Sequence, residues 1–325
     1  ATVGPTVAPV GSFNNEIGLP VSVLRLKPDC EAAVLEMGMN HFGELSVLTR
    51  IAQPDLAVIT NIGTMHIENL GSREGILRAK LEILEGLRPG GRVIFNGDDA
   101  LLRPLAARYH AVCFGLSEGC DVRASRVCES AEGSKFTVHA FGKSFEAALN
   151  VPGLHNVLDA LAAAAVGLLL GLSPEQIAEG LRSYAPLRQR VSHAAGMTII
   201  DDCYNANPVS MKASLDVLRD AKGRKVAILG DMGELGENEA DMHAEIGDHA
   251  AKNKIDLLIC TGKISSHMAE AAIANGGCGE VLQIPTLEAL LTCLPSLVEE
   301  GDAVLVKASH FMHFEKVVER LKEDF

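Results

Sequence analysis

The chain has 325 residues, 47% of them hydrophobic and 22% charged, with 29 Lys and Arg set against 42 Asp and Glu for a net charge of −13. That length exceeds the ~250–300 residues at which single cores stop growing, so two domains are expected, and the acidic balance excludes general attraction to nucleic acid or to anionic lipid. The eight cysteines form no CxxC pair and no zinc-site spacing, only 4% of residues are aromatic, and the longest apolar stretch, 160–170, falls short of the ~20 residues a bilayer requires; we expect reduced thiols in a cytoplasmic monomer, with no nucleic-acid partner and no membrane insertion.

Along the chain, short apolar runs at 32–35, 56–60 and 93–95 read as buried strands, and residues 72–87 carry helical spacing at Ile76, Leu77, Ala79, Lys80, Ile83, Leu84 and Leu87. This order is α/β and implies a mostly parallel sheet. From about 111 to 151 short alternating segments separated by glycine suggest a small antiparallel insertion. A helix beginning at Asn156 stops at Gly171, and the next opens at Ser173-Pro174-Glu175-Gln176, where Ser caps, Pro takes the first position and Gln closes a capping box. After Tyr184-Ala185-Pro186 a fresh series begins, with strands at 198–201, 225–229, 257–260, 281–284 and 303–306 and helices at 210–221, 241–253 and 265–275. We place a domain boundary near Pro186, giving a first domain over 1–186 and a Rossmann-like α/β domain over 187–325.

Ligands of open α/β sheets sit beyond the carboxyl ends of the strands, so the residues following each run are the candidates. The first run leads into Glu36-Met37-Gly38-Met39-Asn40-His41, the second into Thr60-Asn61-Ile62-Gly63-Thr64-Met65-His66-Ile67-Glu68, and the third into Asn96-Gly97-Asp98-Asp99. A helix cap or a satisfied turn explains any one of these. Jointly, a carboxylate and an imidazole at adjacent strand ends suit a divalent metal carrying phosphate oxygens. Lys80, in an otherwise apolar helical stretch, is either a snorkelling surface lysine or, near such a metal, a cation or a carbamylated side chain. In the second domain the densest signal is Asp201-Asp202-Cys203-Tyr204-Asn205-Ala206-Asn207-Pro208. Asn207 and Pro208 suit a helix start, whereas two acids, a Tyr and another Asn exceed what capping requires. The loop Gly230-Asp231-Met232-Gly233-Glu234-Leu235-Gly236 lacks the spacing of a dinucleotide fingerprint.

Together with Asn14-Asn15-Glu16-Ile17-Gly18-Leu19-Pro20, His66 to Ser72, Ala79-Lys80-Leu81-Glu82-Ile83 and His155-Asn156-Val157, these segments resemble the blocks of the Mur ligase family, in the family's order and over essentially the whole chain. The resemblance implies a central ATP-binding domain followed by a ligase domain. It implies ATP and Mg2+ as cofactors, UDP-N-acetylmuramoyl-tripeptide and D-alanyl-D-alanine as substrates, and a route in which ATP phosphorylates the tripeptide carboxylate and the dipeptide amine attacks the acyl phosphate. Carried over by position, Glu36 and His66 hold magnesium and Lys80 is a carbamylated lysine serving a second one. His155 and Asn156 meet the adenine side, Asn96, Arg188 (or Arg190) and Asp202 contact nucleotide, and Tyr204, Asn205, Asn207, Lys307 and Ser309 face the dipeptide or the acyl phosphate, with domain closure excluding water.

Two departures stand beside this. No G-x-x-x-x-G-K-[ST] occurs in the chain, so the expectation is an amino-terminally truncated ATPase domain without the phosphate loop or the UDP-binding domain. In addition, Lys307-Ala308-Ser309-His310 stands where the family usually reads Lys-Gly-Ser-Arg, and an imidazole does not reproduce a guanidinium fork. The alternatives are a non-catalytic binding paralogue and a related Mur-type ligase for another amino acid.

Overall fold

The computed structural model describes residues 3–9, 11–130, 133–185 and 190–323. The chain divides into two compact units, one holding Ala1–Glu129, Gly133–Asn150 and Leu154–Tyr184, the other Ser130–Glu132, Val151–Gly153 and Ala185–Phe325.

In the first unit, β1 (Thr6–Val7) and β2 (Ala32–Ala33) make a two-stranded parallel pair. A six-stranded sheet runs β3 (Leu56–Ile59), β4 (Arg92–Asn96), β5 (Val112–Gly115), β6 (Val122–Ser130), β7 (Gly133–Ala140), β8 (Lys143–Leu149) in spatial order. Pairings from β3 to β6 are parallel and β7 to β8 is antiparallel. The antiparallel part is therefore smaller than the sequence suggests: β5 and β6 continue the parallel sheet. The run at 32–35 also yields only two paired residues, and Val34 remains 61% exposed. The helical spacing of 72–87 resolves into a Ser72-capped helix, Arg73–Leu81, followed by a 3₁₀ turn, Glu82–Gly86. Ile76, Ala79, Leu45, Leu48, Ile59, Ile62, Val93 and Phe95 close the core of this unit. The box at Ser173, Pro174 and Gln176 forms as read, opening the helix Pro174–Arg182.

The second unit holds β9 (Arg190–Ala194), β10 (Met197–Asp201), β11 (Lys225–Gly230), β12 (Leu257–Thr261), β13 (Glu280–Ile284) and β14 (Ala303–Lys307), in the spatial order β13-β12-β11-β14-β10-β9. All neighbours are parallel except β9 on β10. Both faces are covered, which is why β11, β12 and β14 read as unbroken apolar runs rather than alternating ones. Ala227, Leu229 and Leu305 pack with Met211, Leu215, Ile246 and Met268 on one side. On the other, Val226, Ile228, Val304 and Val306 pack with Leu290, Val317 and Leu321.

The helices Glu239–Lys252 and Ser266–Asn275 cross closely at Gly247, where a Cβ would lie 2.0 Å from the Met268 carbonyl oxygen. Gly247→Ala must push two helices apart, and we expect a loss of about 1–3 kcal/mol in urea unfolding; an unchanged midpoint would show that the crossing yields freely.

Candidate functional site

In the first unit Glu36 lies on the loop after β2, His66 at the end of the loop after β3 and Asn96 at the end of β4, whereas Lys80, His155 and Asn156 stand on helices. The loop after β3 is pinned from outside by three side chains. Asp99 Oδ2 accepts Ile62 N–H (2.7 Å), Arg73 donates to the Ile62 carbonyl (2.8 Å), and Lys80 Nζ donates to the Asn61 carbonyl (2.8 Å). His66, at the end of this loop, adopts a left-handed backbone (φ 59°) and opens the short helix Ile67–Leu70; few non-glycine residues do so. Glu36 is exposed, and its Oε1 accepts the Asn14 amide at 2.9 Å. Asn14 and Asp99 were part of the quoted blocks, but the sequence offered no sign that the one orients Glu36 and the other the loop.

Lys80 is half-buried. Burial pushes its ammonium below the usual lysine range, opposed by the Asp99 carboxylate. Among the described residues no group of three or more His, Cys, Asp or Glu is placed to hold a metal ion. Glu36 and His66 thus fit a magnesium site only if further oxygens join them. A carbamate on Lys80 and substrate phosphates are oxygens of that kind, and a lysine held toward its neutral form is the one that reacts with CO₂.

Asn96 ends β4 and is 7% exposed, with its Oδ1 accepting Asp98 N–H at 2.9 Å, so this oxygen shapes the turn. His155 and Asn156 occupy the first turn of the helix Leu154–Leu169, with Asn156 Nδ2 and His155 Nε2 3.2 Å apart. Burial raises the carboxyl of Asp159, one turn on, and His155 opposes that rise.

In the second unit, β14 inserts between β11 and β10, and the carboxyl ends of such strands are where open α/β sheets take ligands. Asp202 follows β10, and its Oδ2 accepts Ser214 Oγ–H and Lys307 Nζ, both at 2.6 Å. Asn205 Oδ1 accepts Ala206 N–H at 2.8 Å. Asn207 caps the helix Pro208–Arg219, its Oδ1 taking Ser210 N–H at 2.9 Å, so this oxygen serves the scaffold. Tyr204 is 38% exposed, its ring 5.7 Å from that of His310. Ser309 is buried; its Oγ accepts Gly233 N–H (2.9 Å), and its own N–H goes to the Asp231 carbonyl (3.1 Å). Arg188 lies outside the described residues, and Arg190 belongs to the edge strand β9.

Sequence reading passed over three supports here. Ser214 steadies Asp202. Asp231 accepts the N–H groups of Lys263, Ile264 and Ser265. Wholly buried His243 accepts Met232 N–H at Nε2 (2.9 Å), with Nδ1 2.7 Å from the Glu239 carbonyl. Neutral imidazole, protonated at Nδ1, satisfies both. Burial lowers the His243 pKa from 6.5, partly opposed by the Glu239 carbonyl. Because the folded value is depressed, this contribution to stability is present above about pH 6.5 and is lost as pH falls through the folded pKa. Thermal melts should show a larger drop from pH 7.5 to 5 in the wild type than in His243→Gln, whose amide oxygen still accepts the loop N–H. Equal drops would rule out this histidine as the sensor.

Residues 1–167 match the Mur ligase middle domain and residues 188–310 match the Mur ligase, glutamate ligase domain. The chain belongs to the Mur ligase family. Among curated Mur ligases it is 40% identical over 318 residues to the UDP-N-acetylmuramoyl-tripeptide-D-alanyl-D-alanine ligase of Bacillus subtilis, covering 96% of this chain and 69% of that protein. Among solved Mur ligases, MurF from Acinetobacter baumannii superposes with a TM-score of 0.90 at 35% identity, covering 99% of this chain and 71% of that one. MurF of Thermotoga maritima, solved in complex with ADP, superposes with a TM-score of 0.87 at 28% identity, covering 99% and 74%. Among the described residues no helix is long and apolar enough to cross a membrane.

Proposed function

We propose that the chain carries the ATP- and dipeptide-handling parts of the ligase that joins D-alanyl-D-alanine to UDP-N-acetylmuramoyl-tripeptide in peptidoglycan precursor synthesis. The observation that carries this reading is the 40% identity to the Bacillus subtilis enzyme over 96% of the chain. The Asp201–Pro208 segment and the Gly230–Gly236 loop, both among the blocks that resemble the family, stand at the carboxyl ends of β10 and β11, flanking β14.

Magnesium, held by Glu36, His66 and a carbamylated Lys80, would supply positive charge to the phosphates. The remaining work falls to the chain. Asn14 orients the Glu36 carboxylate, and Asp99 with Arg73 holds the loop that ends at His66. His155 and Asn156 are assigned to the adenine and Asn96 to the nucleotide. In the second unit Asp202 is assigned to the nucleotide, whereas Tyr204, Asn205 and Ser309 are assigned to the dipeptide, whose amine attacks the acyl phosphate and releases phosphate. The electrostatic need is simple: an acyl phosphate requires clustered positive charge and exclusion of water.

The test is phosphate release from ATP and Mg2+ by a polypeptide of the relatives' full length that contains this chain. We expect turnover only with both the UDP-linked tripeptide and D-alanyl-D-alanine. Turnover with a single amino acid in place of the dipeptide would sink the substrate assignment.

A further inference from the structure

Lys307 is the last residue of β14, and its side chain is 2% exposed. An ammonium has three N–H donors. Among the described residues, three acceptors lie around this one: Asp202 Oδ2 at 2.6 Å, the Asn205 carbonyl at 2.9 Å and the Asp202 carbonyl at 3.4 Å. All three belong to a single stretch of chain, the turn that leaves β10. That turn is also tied to β14 by its backbone, since Asp202 N–H donates to the Val306 carbonyl at 3.0 Å. The lysine therefore spans the turn from beneath, pulling its first and fourth residues toward one point.

An ammonium withdrawn from solvent and surrounded by protein acceptors is poorly placed to meet an incoming carboxylate or phosphate. We propose that Lys307 is a positioning residue rather than a substrate-binding cation: it sets the shape of the Asp202–Asn205 turn and neutralises the Asp202 carboxylate, which then presents Oδ1 to the ligand as the acceptor of a neutral ion pair. Among the described residues Oδ1 of Asp202 accepts no hydrogen bond, whereas Oδ2 takes both Lys307 and Ser214. Tyr204, carried on the same turn and partly exposed, takes its place from the same brace. The assignment to this reaction rests on the function proposed above; the brace itself does not.

Two measurements separate a brace from a substrate contact. In a full-length ligase containing this chain, Lys307→Met should lower kcat/KM on the order of 100-fold, the size of effect that a displacement of about 1 Å in a positioned group produces. The ratio of kcat/KM for D-alanyl-D-alanine over its carboxamide analogue should stay within about twofold of wild type, because no cation facing the dipeptide carboxylate has been removed. A tenfold or greater collapse of that ratio would overturn the proposal. The second measurement needs no substrate. Lys307→Met should lower the melting temperature, and adding Asp202→Asn should recover part of the loss, since the harm lies in a half-buried carboxylate left without its partner. Additive losses would overturn the proposal. If Lys307→Met does not fold, the double variant and Asp202→Asn alone are compared: a double variant that also fails to fold, while Asp202→Asn folds, counts against the brace, and one that folds supports it. Absence of any dipeptide-dependent turnover in the wild type would undo the function above and leave the melting result to judge the brace.

Discussion

Replacing Lys80 with methionine should cost on the order of 10²–10³-fold in ligation, the usual scale for removing one preorganised group that meets developing charge. The helix should survive: methionine has comparable helix propensity and length, and the neighbouring Ile76 and Ala79 already bury this face. What disappears is the amine set 2.8 Å from the Asn61 carbonyl. Burial shifts the amine toward its neutral form, the form that reacts with CO₂, and carbamylation would turn a cation into an oxygen donor. Wild-type activity should fall when dissolved CO₂ is stripped and return with bicarbonate, the fall being larger at lower pH, where more of the amine is protonated. Lys80→Met should not respond to bicarbonate. A methionine variant within tenfold of wild type, or a wild type indifferent to CO₂, would remove Lys80 from the metal site.

The largest effect on stability is expected at Arg224. Its guanidinium grips Asp302 through two bonds, Nε to Oδ1 at 2.9 Å and Nη2 to Oδ2 at 2.8 Å, and Nη2 also donates to the Leu297 carbonyl at 2.8 Å. Asp302 is 1% exposed and stands just before β14. Arg224→Met leaves that carboxylate buried with the Glu299 N–H among its few donors, and breaking a buried pair on one side costs about 3–5 kcal/mol. Urea unfolding should register that loss, and Asp302→Asn added to Arg224→Met should return part of it. A loss under about 1 kcal/mol would mean that water reaches Asp302 freely.

Much of this architecture was legible because local and global signals agree. Ser173 with Pro174 and Gln176, and Asn207 with Pro208, open helices where the sequence says they should. The apolar runs that became β11, β12 and β14 are unbroken because both faces of their sheet are covered. Other elements were hidden for physical reasons. In β6, buried Val122 and Ala124 alternate with half-buried Arg123 and Ser125, which looks like a solvated antiparallel strand although it pairs parallel with β5. Apolar Val34 gave no hint that it stays exposed.

In the candidate site, the residue types were readable and their jobs were not. Asn96 and Asn207 commit their side-chain oxygens to a turn and a cap. Lys307 stands in a run buried from Ala303 to Ser309. A lysine inside such a run needs an internal counter-charge, and Asp202, 105 residues earlier in the chain, could be matched to it only by the fold.

The position of β14 bears on how this sheet is made. Its strand fills the gap between β11 and β10, yet it is synthesised last of the six. Until Ala303–Lys307 leaves the ribosome, β13-β12-β11 and β10-β9 have no ladder joining them, and each presents an open edge to any passing chain. Closing the sheet then pairs β14 with β10 across about a hundred residues, a contact order that places the zipping of this unit among the slower steps of its biogenesis.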